Sequence, residues 1–136
     1  MKLNGWRMNI DYANDKNKAS VENQIYSKLC GNSTFWGYKY GNATGSVIAP
    51  AFNGSGCAIL DFGSCAENGI TKVYHKRRTS NVYEIISVAH GMQVSKLVSF
   101  SYQPGDVLKL EEEGPGVINI NSFRLKRSCN HTLGTI

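Results

Sequence analysis

Between residues 34 and 125 the chain repeats one local pattern, in which a short run of β-branched, aromatic and aliphatic residues is followed by a break containing Gly or Asn. Eight such runs follow one another at spacings of roughly 8–13 residues, which is typical of an antiparallel sandwich or barrel. The runs are Thr34–Tyr40, Ser46–Phe52, Cys57–Phe62, Ile70–Lys76, Val82–Val88, Val94–Tyr102, Val107–Glu112 and Val117–Leu125. The sequence therefore predicts an all-β domain of about eight strands.

The last of these runs predicts an irregularity within its strand. Ile118 and Ile120 share one parity, whereas Phe123 and Leu125 share the other. Successive side chains of a strand point to opposite faces, so a regular strand cannot bury all four. We therefore predict a β-bulge near Asn121–Ser122.

The N-terminal part of the chain has a different pattern. Residues 1–19 are polar and lack sustained periodicity, so we expect an extended arm there. Ser20 can cap a short helix whose apolar positions Val21, Ile25 and Leu29 recur every four residues, and Gly31 follows as a stop. With 136 residues in all, we expect residues 20–136 to form a single sandwich domain with this one short helix.

Sequons and cysteines indicate the compartment. N-glycosylation acceptor tripeptides begin at Asn32, Asn42, Asn53 and Asn130. The chain also has four cysteines, and an even number in a small domain is typical of an oxidising, extracellular compartment. No run approaches the roughly 18 apolar residues of a membrane helix. The sequence therefore predicts a secreted, disulfide-bonded glycoprotein without a membrane span.

The four cysteines allow three pairings, and the strand assignment disfavours one of them. If Cys57–Phe62 is extended, Cys57 lies ~15 Å or more from Cys65 at about 3.3 Å per residue. A disulfide needs Cα atoms within roughly 7 Å. Two pairings remain open: Cys30–Cys57 with Cys65–Cys129, or Cys30–Cys65 with Cys57–Cys129.

Four segments carry a resemblance to a known fold family. They are Gly54–Gly63, Gly69–Tyr74, Ser99–Leu110 and Gly116–Phe123. Their order resembles galactose-binding-like jelly rolls of the discoidin and lectin type. The resemblance implies an antiparallel jelly-roll β-sandwich that serves as a carbohydrate-binding or adhesion module of extracellular proteins. Its motifs are strands and turns, so they identify a scaffold rather than a site.

Two features of this family are incomplete in the sequence. His75 and Arg77–Arg78 do not have the spacing of the sugar site in the fucose-binding branch. No calcium loop is recognisable, although Asp61, Asp106 and Glu111–Glu113 could supply oxygen ligands in space. We therefore expect no cofactor, with structural calcium as the open alternative.

The aromatic run around residue 36 is the first candidate ligand site. In a strand, Trp36, Tyr38 and Tyr40 lie on one face and would form a flat strip able to stack on sugar rings. The alternative is that the strip packs inward, because large aromatic side chains are usually buried.

The second candidate is the basic run His75-Lys76-Arg77-Arg78, which Lys126-Arg127 could join, and its candidate ligand residues are His75, Arg77 and Arg78. Arginine side chains match the oxyanions of a sulfate or an acidic polysaccharide. The alternatives are a solvated loop and a basic processing site of a secreted precursor. The cluster does not interleave with aromatic residues as in an RNA-binding sheet, so we expect no nucleic-acid partner.

The sequence motifs that are typical of enzymes are incomplete in this chain. Phe52–Gly56 lacks the first glycine of a nucleophile elbow, and paired cysteines would leave no thiol nucleophile. Glu111–Glu113 are consecutive rather than facing one another across a cleft. We therefore predict a non-enzymatic module.

These features together predict an extracellular carbohydrate-binding or adhesion module whose partners are glycans or a glycosylated surface. The alternative is a self-assembling structural glycoprotein of a matrix, coat or filament, in which residues 1–19 act as a strap onto a second copy.

Overall fold

The structure is a computed structural model that describes residues 7–10, 22–24, 36–39, 45–64, 69–113 and 117–129. Within these ranges, ten strands form two five-stranded antiparallel sheets. The strands are β1 (Arg7–Ile10), β2 (Glu22–Gln24), β3 (Trp36–Lys39), β4 (Gly45–Ile48), β5 (Gly56–Ser64), β6 (Ile70–Lys76), β7 (Glu84–His90), β8 (Lys96–Tyr102), β9 (Val107–Glu113) and β10 (Val117–Lys126). One sheet has the order β1-β4-β9-β6-β7, and the other has the order β2-β3-β10-β5-β8.

The predicted all-β jelly-roll sandwich is confirmed. Each of the eight predicted runs overlaps one of the strands β3 to β10, and the run Ile70–Lys76 matches β6 at both ends. Among the described residues, no helix has the length and hydropathy needed to cross a membrane.

The N-terminal strands differ from the expected pattern. Glu22–Gln24 lies within the segment predicted as a helix, but it forms strand β2 and pairs with β3, Glu22 opposite Lys39. The edge of β3 offers N–H and C=O groups that an extended segment can pair with, and helical spacing in a short sequence carries no information about that partner. The other residues of the predicted helix lie outside the described ranges. In the predicted arm, Arg7–Ile10 is extended and pairs with β4.

The hydrophobic core lies between the two sheets. In β6 and β9, buried and half-buried positions alternate along the whole strand, which places one face of each strand in the core. The largest fully buried apolar side chains are Phe62, Leu60, Leu108, Leu110, Ile118, Ile120, Val47 and Val73.

The predicted bulge in β10 is confirmed. Ile120 pairs with Phe62 and Ser122 pairs with Asp61, so one residue of β10 between them has no opposite number on β5. The change of parity lets Phe123 pack against the same core as Ile120. Leu125 does not follow it inward and remains 54% exposed.

One disulfide selects between the two open pairings. Cys57, at the start of β5, is bonded to Cys129, and their Cα atoms are 5.0 Å apart. The bond joins the C-terminal end of β10 to the strand beside it, because Lys126 pairs with Cys57. Cys30 and Cys65 lie outside the described residues.

A glycine in β5 allows a loop to cross the sheet closely. A Cβ atom at Gly63 would lie 2.4 Å from the backbone carbonyl of Val94, so a larger residue would push the segment before β8 away. The same carbonyl accepts hydrogen bonds from the side-chain amides of Asn119 and Asn121 at 3.0 and 2.9 Å. The segment is thereby fastened across β5 to β10.

One ionisable side chain is fully buried on the core face of β9. Glu112 accepts hydrogen bonds from the hydroxyls of Ser64 and Thr71. Burial raises the pKa of Glu112 to about 7, and the two hydroxyl donors oppose that shift only in part.

We expect the stability of the domain to fall as the pH rises from about 5 to above 7. The folded pKa of Glu112 lies above its ordinary value of 4.5, so the folded state retains a proton that the unfolded state has lost. Ionising the buried carboxyl therefore lowers the free energy of unfolding by about 3 kcal/mol, because each pKa unit between the folded and the ordinary value corresponds to about 1.36 kcal/mol. Glu112→Gln should therefore flatten the dependence measured by urea denaturation between pH 5 and pH 8.5. Glu111→Gln, at a half-buried position on the other face of β9, is the control and should leave it unchanged.

Candidate functional site

Several loops meet at one end of the sandwich, which we call the loop end. They are residues 49–55 after β4, 77–83 after β6, 103–106 after β8 and 127–129 after β10. The amide of Phe52 donates to the carbonyl of Asp106 at 3.0 Å, and the amide of Gly105 donates to the carbonyl of Phe52 at 2.8 Å. Gly105 has a φ of 86°, in the left-handed region that favours glycine, and the side chain of Arg78 lies over it. These contacts make the first three loops one surface.

The loop end is organised around a buried carboxylate. Asp106 is 1% exposed and accepts hydrogen bonds from four donors, which belong to β6, the 77–83 loop and the 103–106 loop. The donors are Nε2 of His75 at 2.9 Å, Nη1 of Arg77 at 3.2 Å, the amide of Arg78 at 3.1 Å and the amide of Gln103 at 3.0 Å. Burial alone would raise the pKa of Asp106, but the amides of Gln103 and Arg78, together with His75, lower it below its ordinary value. The carboxylate is therefore charged at neutral pH and fixes the positions of its neighbours.

This arrangement separates the three predicted basic ligand residues. His75 is 7% exposed, its Nε2 faces Asp106, and its ring centroid lies 4.8 Å from that of Phe100. Arg77 is half-exposed and contacts Asp106 and the carbonyl of Ser101. Arg78 is exposed. The structure thus assigns His75 to the interior and leaves the two arginines at the surface of the loop end.

Two residues of the aromatic strip, Trp36 and Tyr38, lie in β3, which belongs to the other sheet from β6. Trp36 and Tyr38 pair with Ile120 and Ile118, and cross-strand partners share a face of the sheet. The choice between core packing and a ligand platform stays a prediction for these two side chains. Tyr40 lies outside the described residues.

The backbone positions of Trp36 and Tyr38 lie away from the loop end, where the two arginines are. Tyr38 is opposite Ile118, whereas the loop end begins beside Lys126, eight positions further along β10. At roughly 3.3 Å per residue, the two lie about 25 Å apart.

A groove lies at the loop end and has a volume of about 250 Å³. It is lined by Ala49, Pro50, Ala51, Phe52, Asn53, Gly54, Tyr102, Phe123 and Leu125. The rings of Phe52 and Tyr102 stack with centroids 4.1 Å apart, and the ring of Phe123 is 6.4 Å from that of Phe52. This aromatic cluster forms the floor, while Pro50, Asn53 and Leu125 are exposed at the rim.

The groove was not predicted as a site from the sequence. Its residues come from the 49–55 loop, the end of β8 and the end of β10, which are distant along the chain. The bulge predicted in β10 did not indicate it either, because that prediction assumed that Phe123 and Leu125 are both buried, whereas Leu125 is exposed at the rim.

Of the predicted glycosylation sites, the structure describes one. Asn53 is exposed at the rim of the groove, in a bend of the 49–55 loop. Asn32, Asn42 and Asn130 lie outside the described residues.

The acidic residues considered for calcium are engaged separately. Asp61 accepts hydrogen bonds from Ser95 and Asn121, Asp106 is held at the loop end, and Glu112 is buried in the core. Within the described ranges, no three His, Cys, Asp or Glu side chains converge in a way that could hold a metal ion.

Comparisons with known proteins support the fold. No protein-family model matches the chain, and no curated protein is similar to it in sequence. Among solved structures, TmCBM61 in complex with β-1,4-galactotriose superposes with a TM-score of 0.53 at 12% identity, covering 93% of this chain and 90% of that chain. A cleaved adhesin domain of Lys-gingipain from Porphyromonas gingivalis gives 0.53 at 13% identity, covering 90% of each chain. CBM35 from Paenibacillus barcinonensis gives 0.50 at 13% identity, covering 93% and 95%. The chain has the galactose-binding-like jelly-roll fold that these carbohydrate-binding modules share.

Proposed function

We propose that this domain is a non-catalytic module of an extracellular protein and that it binds carbohydrate in the groove at the loop end. The observation that carries the proposal is the groove itself, with an aromatic floor and the exposed Asn53 at its rim, on a fold whose solved examples include carbohydrate-binding modules. The Cys57–Cys129 bond adds support for an oxidising compartment.

The lining of the groove suits a sugar ring. One side of a pyranose presents C–H groups that pack on apolar and aromatic surface, while its hydroxyls need hydrogen-bond partners at the edge. Phe123 and Leu125 supply the apolar surface, and the exposed amide of Asn53 supplies donors and an acceptor.

The size of the groove limits how much of a glycan it holds. Its volume of about 250 Å³ is below the roughly 300–1,000 Å³ of sites that enclose drug-sized ligands. The groove is therefore suited to a single sugar unit, with the rest of an oligosaccharide leaving across the rim.

The charge beside the groove favours an acidic glycan. Arg78 is exposed and lies over Gly105, whose amide is bonded to Phe52 of the groove floor. Arg77 adjoins it, although Asp106 balances the charge of Arg77. A carboxylate or sulfate on a sugar held in the groove would find the guanidinium of Arg78 within the same surface.

The proposal predicts that Leu125→Asp weakens oligosaccharide binding at least tenfold, because it places a carboxylate on the apolar wall of the groove. Binding is measured by titration calorimetry with β-1,4-galactotriose and with an oligosaccharide of galacturonic acid. Leu97→Asp is the matched control, since Leu97 is 68% exposed and lies five residues before Tyr102 on β8. Leu125 is itself 54% exposed, so neither change should unfold the protein.

Equal losses in the two leucine variants would place the binding site elsewhere on the domain. If the unglycosylated chain binds no member of a broad panel of neutral and acidic oligosaccharides, the carbohydrate-binding function itself is refuted.

A separate prediction concerns the charge of the ligand. Arg78→Gln should weaken binding of the acidic oligosaccharide about fivefold, which corresponds to the roughly 1 kcal/mol at the upper range of an exposed ion pair. Binding of the neutral oligosaccharide should change little, and added salt should reduce the difference. Arg124→Gln makes the same charge change on the opposite face of β10 from Phe123 and serves as the control. An equal effect of both substitutions would indicate only a long-range charge effect.

A further inference from the structure

The rim of the groove contains a complete acceptor sequence for N-glycosylation. Asn53, Gly54 and Ser55 are all exposed, and Asn53 is one of the residues that line the groove. A Cβ atom built on Gly54 would meet no atom within 4 Å, so the structure leaves open space around the centre of the sequon. The acceptor nitrogen is therefore both accessible and adjacent to the proposed sugar site.

We propose that the first sugar of a glycan carried by Asn53 occupies the groove and closes it to other sugars. In the attachment step, a bond forms between Nδ2 of Asn53 and C1 of the first N-acetylglucosamine. The bond from C1 to the pyrophosphate of a lipid-linked donor breaks, the pyrophosphate leaves with the electron pair, and Nδ2 loses one proton. The occupant is thus a modification of this chain, and the closing of the site rests on the proposed function.

The groove provides surface of the right kind for this sugar. An N-acetylglucosamine unit has an apolar ring face and an acetamido methyl group, and both can pack on Phe123 and Leu125. The size of the groove limits it to about one such unit, as argued above for a free ligand.

Covalent attachment gives this occupant an advantage over free sugars. A tethered group on a short linker reaches an effective concentration in the millimolar range or above. A free oligosaccharide of similar intrinsic affinity would have to exceed that concentration to displace it. Occupancy of one sequon would therefore separate a binding form of the domain from a closed form.

The test compares the wild-type chain with Ser55→Ala, which removes the acceptor sequence but keeps Asn53 in the lining of the groove. Both are secreted from a eukaryotic host and trimmed with an endoglycosidase that leaves the first N-acetylglucosamine. Thr132→Ala, which removes the sequon at Asn130 by a similar change, is the control. Peptide mass mapping measures the sugar on Asn53, and nuclear Overhauser effects report contacts between the acetamido methyl group and Phe123 or Leu125. Titration with β-1,4-galactotriose and with a galacturonic acid oligosaccharide measures access to the groove.

We expect the wild-type chain to carry a sugar on Asn53, to show these contacts and to bind the probes at least tenfold more weakly than Ser55→Ala, with Thr132→Ala behaving as the wild type. An unmodified Asn53, a modified Asn53 without the contacts, or equal binding by both forms would each overturn the inference. If the contacts are present but Ser55→Ala binds no sugar, the glycan is confirmed as the occupant and the proposed function is what fails.

Discussion

Replacing Cys57 and Cys129 together by alanine is expected to lower the free energy of unfolding by about 4 kcal/mol. The two cysteines are 72 residues apart in the chain, so their bond removes much of the conformational freedom of the unfolded state. The bond also fastens the end of β10 beside β5, where Phe123 and Leu125 form a wall of the groove. We therefore expect oligosaccharide affinity to fall together with stability.

Urea denaturation of the oxidised proteins measures the loss. Cys129→Ala alone is the control, because Cys129 is only partly buried and its removal breaks the cross-link without emptying a core position. The single and double variants should lose similar amounts. A loss below about 1 kcal/mol in both would show that the cross-link contributes little to the folded domain.

Asp106→Ala is expected to cost about 3 kcal/mol, because it leaves several hydrogen-bond donors at the loop end without their buried acceptor. The substitution leaves the buried ring of His75 facing an empty position and releases the amides of Gln103 and Arg78. It should also loosen the contacts between Gly105 and Phe52, and with them the floor of the groove. Stability and oligosaccharide affinity are therefore expected to fall in parallel.

The pH dependence of Asp106 has the opposite sign to that of Glu112. The folded pKa of Asp106 lies below its ordinary value of 3.8, so its contribution is present above that value and is lost as the pH falls towards the folded pKa. Asp106→Asn should remove this part of the acid sensitivity while keeping the shape of the side chain. Unfolding free energies between pH 2 and pH 5 measure it.

Asp61→Ala is the matched control for the alanine variant. Asp61 is a partly buried aspartate that accepts hydrogen bonds from Ser95 and Asn121 away from the loop end, and its removal should cost about 1 kcal/mol. If Asp61→Ala and Asp106→Ala prove equally destabilising, Asp106 has no special role in organising the loops.

Local sequence patterns were sufficient to predict those features of the fold that depend only on residues close together in the chain. The bounds of β6 and the bulge between Ile120 and Ser122 follow from alternation and from the positions of glycine and asparagine. Alternation is set by the pleat of a single strand, which needs no knowledge of the partner strand. The four-residue spacing of Val21, Ile25 and Leu29 is also a local pattern. It therefore could not reveal that Glu22–Gln24 pairs with β3, which is a contact with another part of the chain.

The roles of individual polar residues depended on contacts across the fold. His75 belongs to a basic run in the sequence, yet it lies on the buried face of β6 and meets Asp106, 31 residues further on. The groove likewise combines Phe52, Tyr102 and Leu125 from three separate parts of the chain. The amino-acid pattern alone was enough for an all-β sandwich and its bulged strand, because backbone pleat and turn chemistry act over a few residues. The buried carboxylate network and the groove arose only when the two sheets packed, because side chains distant in the chain meet there and exclude water together.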